Sequence, residues 1–296
     1  MAAINANPKD IHAAQRRQPN ILARLARNYS GLVGIILVTL YIIIAIMGAL
    51  NISPFPPAEQ HVRDRLQAPS SQYVIGTDLF GRDVASRIIE GAGNSLRVAS
   101  LSVLLSSVIG ILLGTTSAFI GGQVDNLIMR VMDIFFAFPA ILLALLIVAV
   151  LGTGLNNTVL AIAVVYTPIF ARVARGPVLS VKQVEYVVAA RALGVHEWRI
   201  LFRHILPNTL APLIVQISLA LSWALLTEAG LSFVGLGTQP PHASWGVMLS
   251  ESRPLAEIAP WLMIAPGVAI MLSVLGFNLL GDGLRDVLDP RMRGRR

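Results

Sequence analysis

The residues of this chain that could do chemistry are few, and their spacing does not suit catalysis. Cysteine is absent, which excludes thiolate nucleophiles, disulfides and cysteine-ligated metals. His12, His61, His196, His204 and His242 show neither HxxxH nor HxxE spacing, so no metal site is expected. Lys9 and Lys182 follow no glycine-rich loop, so the chain has no Walker-type nucleotide site. No paired carboxylates and no Ser/His/Asp set fall within the apolar runs, which argues against a membrane-embedded enzyme. Two polar islands remain. Residues 76–87, GTDLFGRDVASR, carry two Asp–Arg pairs, and Asp83 and Arg87 are spaced to pair on a short helix beginning after Gly81. Residues 185–208, EYVVAARALGVHEWRILFRHILPN, set three arginines beside apolar stripes. Such patterns bind; they do not break bonds.

The elements that position these islands are membrane spans. Of 296 residues, 55% are hydrophobic and 13% charged, against about 25% charged in soluble domains. Mean hydropathy is +0.69. The chain reads as an all-α integral membrane protein with six transmembrane helices, at 31–50, 98–120, 134–151, 155–171, 210–226 and 258–280. The polar tail 1–30 before the first span does not suit a cleaved signal peptide. Residues 51–97 form a long outer loop, 98–282 a five-helix core carrying the 185–208 loop, and 283–296 a tail. With both termini cytoplasmic, seventeen basic residues lie inside and six outside, in accord with the positive-inside rule. The net charge of +7 thus follows topology and does not call for nucleic acid.

Within the spans, ionisable residues are scarce. Glu228, where the fifth span runs out, is the main exception. A proton-coupled carrier would place such groups at depth, so that class is disfavoured. Ser100, Ser102, Ser106, Ser107, Gly110, Gly114, Ser218 and Ser222 read as small residues for close helix packing.

In the second island Tyr186, Ala189, Ala190 and Leu193 fall on one helix face, and Trp198, Leu201, Phe202 and Ile205 repeat the spacing after Gly194. The pattern is helix, glycine turn, helix, with Arg191, Arg199 and Arg203 outside the apolar faces. It suits docking on a protein or lying on anionic lipid.

AARALG followed by HILPN resembles the "EAA" cytoplasmic loop of permease subunits of bacterial ABC importers. GTDxxGRDxxSR, LSFVGLGTQPPHASWGVML and GFNLLGDGLRDVLDPRMR are similar to the dipeptide, oligopeptide and nickel branch of that family. The resemblance implies the type I ABC importer permease fold in the bacterial inner membrane. It also implies a second homologous permease, two ABC ATPase subunits that bind ATP and Mg, and an extracytoplasmic solute-binding protein. Residues Glu185, Ala189, Ala190, Arg191, Leu193, Gly194, Trp198 and Arg199 would couple to the ATPase, and Gly76, Thr77, Asp78, Gly81, Arg82 and Asp83 would form the outer motif. The implied substrate is a di- or oligopeptide; nickel, glutathione or opines are the alternatives within the branch. One departure stands out: the motif's opening glutamate is Val188 here, and Glu185, three residues earlier, is the nearest acid.

Overall fold

The computed structural model describes residues 24–288, and among these the architecture is helical apart from one isolated antiparallel bridge between Thr77 and Asp83. The basic residues expected in the tails before Arg24 and after Leu288 lie outside the described residues. Helix α1 is Tyr29–Ala49, α2 Val84–Ile120, α3 Gly122–Phe136, α4 Ala140–Leu151 and α5 Leu155–Val181. The second island forms α6 (Glu185–Ala192) and α7 (Glu197–Ile200). Then follow α8 (Leu210–Phe233), α9 (Trp245–Ser252) and α10 (Trp261–Leu288). Five stretches are long and apolar enough to cross a membrane, and a sixth results if α3 and α4 together count as one.

Helix α2 begins fourteen residues before the expected 98, so residues 84–97 are helix and not loop. Its 37 residues extend about 55 Å at 1.5 Å per residue, well beyond a hydrocarbon core of about 30 Å. In its first turns Ser86, Arg87, Glu90, Asn94 and Ser95 are each engaged, as described below. At the other end α2 packs along α5. A Cβ on Gly114 would lie 2.1 Å from the Ala171 carbonyl oxygen, so only glycine permits this approach. Ser102 Oγ donates across the same contact to the Val159 carbonyl at 3.1 Å, and Ser222 Oγ of α8 to Val274 of α10 at 3.3 Å. The small residues therefore serve packing.

The third span, expected at 134–151 with Pro139 in or at its margin, is not one continuous helix. Helices α3 and α4 meet at 90°. Pro139, at the start of α4, has no N–H to continue a helix and restricts the residue before it. Alone, the twelve residues of α4 reach only about 18 Å. Helix α3 is amphipathic: Asp125 and Asp133 on it pair with Arg175 and Arg172 of α5. Those arginines were expected in a loop after 171, but α5 continues to Val181.

Candidate functional site

The inner island is held between the ends of α5 and α8. Val187 on α6 and Ile200, Leu201 and Ile205 beyond the turn are buried against Ala118 of α2 and Val178 of α5. Burying such side chains contributes roughly 1.5–3 kcal/mol each, enough to fix α6 to the bundle. Lys182 Nζ donates to the Ala118 carbonyl at 2.7 Å, satisfying one of the open acceptors at the end of α2. Tyr186 Oη donates to the His204 carbonyl at 3.2 Å, and Asn208 Nδ2 donates to both groups. The HILPN segment is thereby tied to α6.

The two predicted stripes divide differently from the spacing. Tyr186, Ala189 and Leu193 face outward, while Ala190 turns partly inward onto the buried cluster with Val187. Of the second stripe, Leu201 and Ile205 are buried, whereas Trp198 and Phe202 stay half-exposed with ring centroids 6.0 Å apart. The reason is local. After α7 the backbone widens into a π turn at Leu201–Ile205 and tightens into a 3₁₀ turn at Leu206–Thr209, so a 3.6-residue period does not hold.

Gly194 has φ +74°, the left-handed region that ends a helix, and a Cβ there would meet nothing within 4 Å. Leu193 beside it is 84% exposed. Arg191 reaches over the turn to Glu197, Nε to Oε1 at 2.8 Å and Nη2 to Oε2 at 3.1 Å. The hydrogen bonds to Glu197 hold the Arg191 guanidinium above its already high range. Glu185, Val188 and Arg199 are exposed, and none of them is ion-paired among the described residues. Glu197 carries no periodic signal. Its partner lies six residues away on another helix, so residue spacing could not reveal it.

The outer island is built on buried charge. Asp78 Oδ1 accepts the amides of Phe80 and Arg82, and its Oδ2 accepts Arg82 Nε at 2.6 Å and Arg87 Nη1 at 2.7 Å. The same two guanidiniums converge on Glu251 Oε2 of α9, at 3.0 and 2.9 Å. Two arginines and two acids thus close a ring joining the 76–83 turn to α2 and α9. Burial pushes the Glu251 carboxyl up from its ordinary value, and Arg82 pulls it back. The expected Asp83–Arg87 pair does not form. Asp83 instead caps α2, its carboxylate accepting the Ser86 amide at 2.8 Å and hydroxyl at 2.6 Å, while Arg87 belongs to the ring. The helix does start where expected, after Gly81. Thr77 is buried, accepting the Gln67 amide at 2.9 Å and donating to the Asp64 carbonyl. Gly76 and Gly81 make the positive-φ turns on either side of Asp78.

Among the described residues no His, Asp and Glu cluster has the arrangement of a metal site. Residues 106–294 match the family model of the binding-protein-dependent transport system inner membrane component. Residues 20–69 match that of the N-terminal transmembrane domain of oligopeptide transport permease C. A dipeptide transport system permease protein of Alkalihalophilus pseudofirmus is 46% identical, over 97% of this chain and 94% of its own. A glutathione transport system permease protein of Pectobacterium atrosepticum is 44% identical, over 91% and 90%. A di/tripeptide transport system permease protein of Pseudomonas aeruginosa is 45% identical, over 89% of each. A chain of the MetNI methionine ABC transporter in inward-facing form superposes with TM-score 0.57 at 19% identity, covering 68% of this chain and 95% of that one, a likeness of fold. An apolar bundle with an exposed loop at 185–208 and a match this long admit one conclusion: the chain belongs to the family of binding-protein-dependent ABC importer permeases, as a multi-pass protein of the inner membrane.

Proposed function

We propose that this permease carries di- or oligopeptides and forms half of a translocation pathway, the other half being a second, homologous permease. Two ATPase subunits, which bind ATP and Mg, sit beneath it, and an extracytoplasmic solute-binding protein delivers substrate from the other side. Both termini and the 185–208 loop are cytoplasmic. Alternating access follows from movement of α6 and α7 with the ATPase pair, transmitted through Val187, Ile200, Leu201 and Ile205 into the ends of α2 and α5. The chain performs no bond chemistry.

The observation that carries this reading is the two-sidedness of α6 and α7. One side is packed on the bundle, while Leu193, Trp198 and Phe202 present an exposed apolar surface on the other. The permease names of the 46% and 45% identical relatives support a peptide substrate. A second reading, glutathione, is favoured by the 44% identical relative and stays close in chemistry, glutathione being itself a tripeptide. Uptake of labelled di-, tri- and γ-linked peptides in cells lacking the gene and complemented with it separates the two. Loss of peptide uptake on vanadate treatment supports ATP coupling; uptake abolished only by a protonophore points to a secondary carrier.

A further inference from the structure

Glu228 takes no part in either island, yet it is 1% exposed on a helix that spans the membrane. Both of its carboxyl oxygens are engaged. Ser95 Oγ of α2 donates to Oε2 at 2.8 Å, and Ser232 Oγ, one turn along α8, donates to Oε1 at 2.7 Å. Ser244, buried at the start of α9, accepts the Val247 amide at 3.4 Å and caps that helix. Ser232 Oγ in turn accepts the Thr238 amide at 3.3 Å.

The loop between α8 and α9 is sewn to α2 by further bonds. Asn94 Nδ2 donates to the Ala243 carbonyl at 2.7 Å, the Ala243 amide to Glu90 Oε2 at 3.2 Å, and Trp245 Nε1 to the Ile88 carbonyl at 3.0 Å. The carboxyl of Glu228 is where the three elements meet. In a dry interior such bonds have no water to compete with them, and removing the acceptor leaves buried hydroxyls unpaired. An apolar side chain would fill the same space without that demand, so the buried carboxyl is present for the bonds it accepts.

We propose that Glu228 is a positioning residue that locks the outer ends of α2 and α8 and the loop between α8 and α9 into one rigid unit. The two helices then move together when the pathway opens outward, as packed elements do in two-state transitions. Gating motion at the inner end of α2 reaches the outer mouth undiminished because the unit does not flex.

The test uses the whole transporter, with its ATPases and binding protein, in proteoliposomes that transport in wild-type form, so failure here leaves the permease reading intact. Glu228→Gln keeps the shape and an acceptor, and serine hydroxyls can turn to accept from the amide. Its uptake per ATP hydrolysed is expected within about threefold of wild type, while Glu228→Leu loses about tenfold or more at saturating binding protein. The concentration of loaded binding protein giving half-maximal ATP hydrolysis is expected unchanged in both. A Leu variant with the wild-type uptake-to-ATP ratio, or a Gln variant as defective as Leu, overturns the proposal. If the Leu variant does not accumulate, Ser95→Ala, which removes the bond from α2, is measured instead: a lowered ratio supports the lock, and a wild-type ratio overturns it.

Discussion

Arg191 and Glu197 clasp each other across the Gly194 turn, the guanidinium meeting the carboxylate through two bonds of 2.8 and 3.1 Å. Both side chains are about half exposed, so the pair contributes at most about 1 kcal/mol to stability. Its value is geometric, since a bidentate pair fixes direction as well as distance. Arg191→Glu is therefore expected to leave membrane insertion and yield unchanged while uptake falls several-fold. The exchange Arg191→Glu with Glu197→Arg is expected to recover most of it. Uptake by the single and double variants, normalised to immunoblotted protein, checks this.

At Gly194 volume is no obstacle, because a Cβ there meets nothing within 4 Å. The constraint is φ +74°, which costs an ordinary L-residue roughly 1–2 kcal/mol. Gly194→Asn, which tolerates that region, is expected to transport near the wild-type rate. Gly194→Val and Gly194→Arg are expected to insert normally and uncouple. Normal uptake in the valine variant would remove the turn from the coupling scheme.

The outer ring makes the opposite kind of prediction, one of stability. Arg87 is 2% exposed and bonded to both Asp78 and Glu251. Removing one partner of a buried ion pair costs about 3–5 kcal/mol. Arg87→Ala is expected to lower the melting temperature in detergent by several degrees and to reduce membrane yield. Asp83→Asn, which keeps a capping oxygen for α2, is expected to cost far less. Thermal unfolding of the two variants followed side by side decides the ranking.

Val188 stands where the resemblance to the EAA loop implies a glutamate, and Glu185 is exposed one turn earlier on α6. If Glu185 supplies the missing charge, Glu185→Ala lowers ATPase co-purification and uptake, and adding Val188→Glu restores both. Restoration is the informative result; a Glu185→Ala variant with full uptake excludes the substitution.

The bundle was legible in the sequence because apolar runs of span length have few other uses, and the inner loop because its stripes sit at helical spacing around a glycine. Two features were hidden for physical reasons. Arg87, Glu90 and Asn94 gave the start of α2 the composition of a loop, since their partners, Glu251 and Ala243, lie far along the chain. Pro139 signalled a kink between α3 and α4, but the hydrophobic run continues across it and so hid a turn of 90°. Glu228 was visible as an oddity of composition, and Ser232 lies one turn along the same helix, but Ser95 comes from α2, 133 residues away, and no local pattern announces it.

The most direct test of the central claim is to tag the chain, purify it from native membranes in mild detergent and identify what accompanies it by mass spectrometry. The account predicts a second permease, ATPase subunits and a solute-binding protein, with the ATPases lost on Leu193→Glu while the second permease remains. Recovery of the chain alone, still transporting when reconstituted, would contradict it.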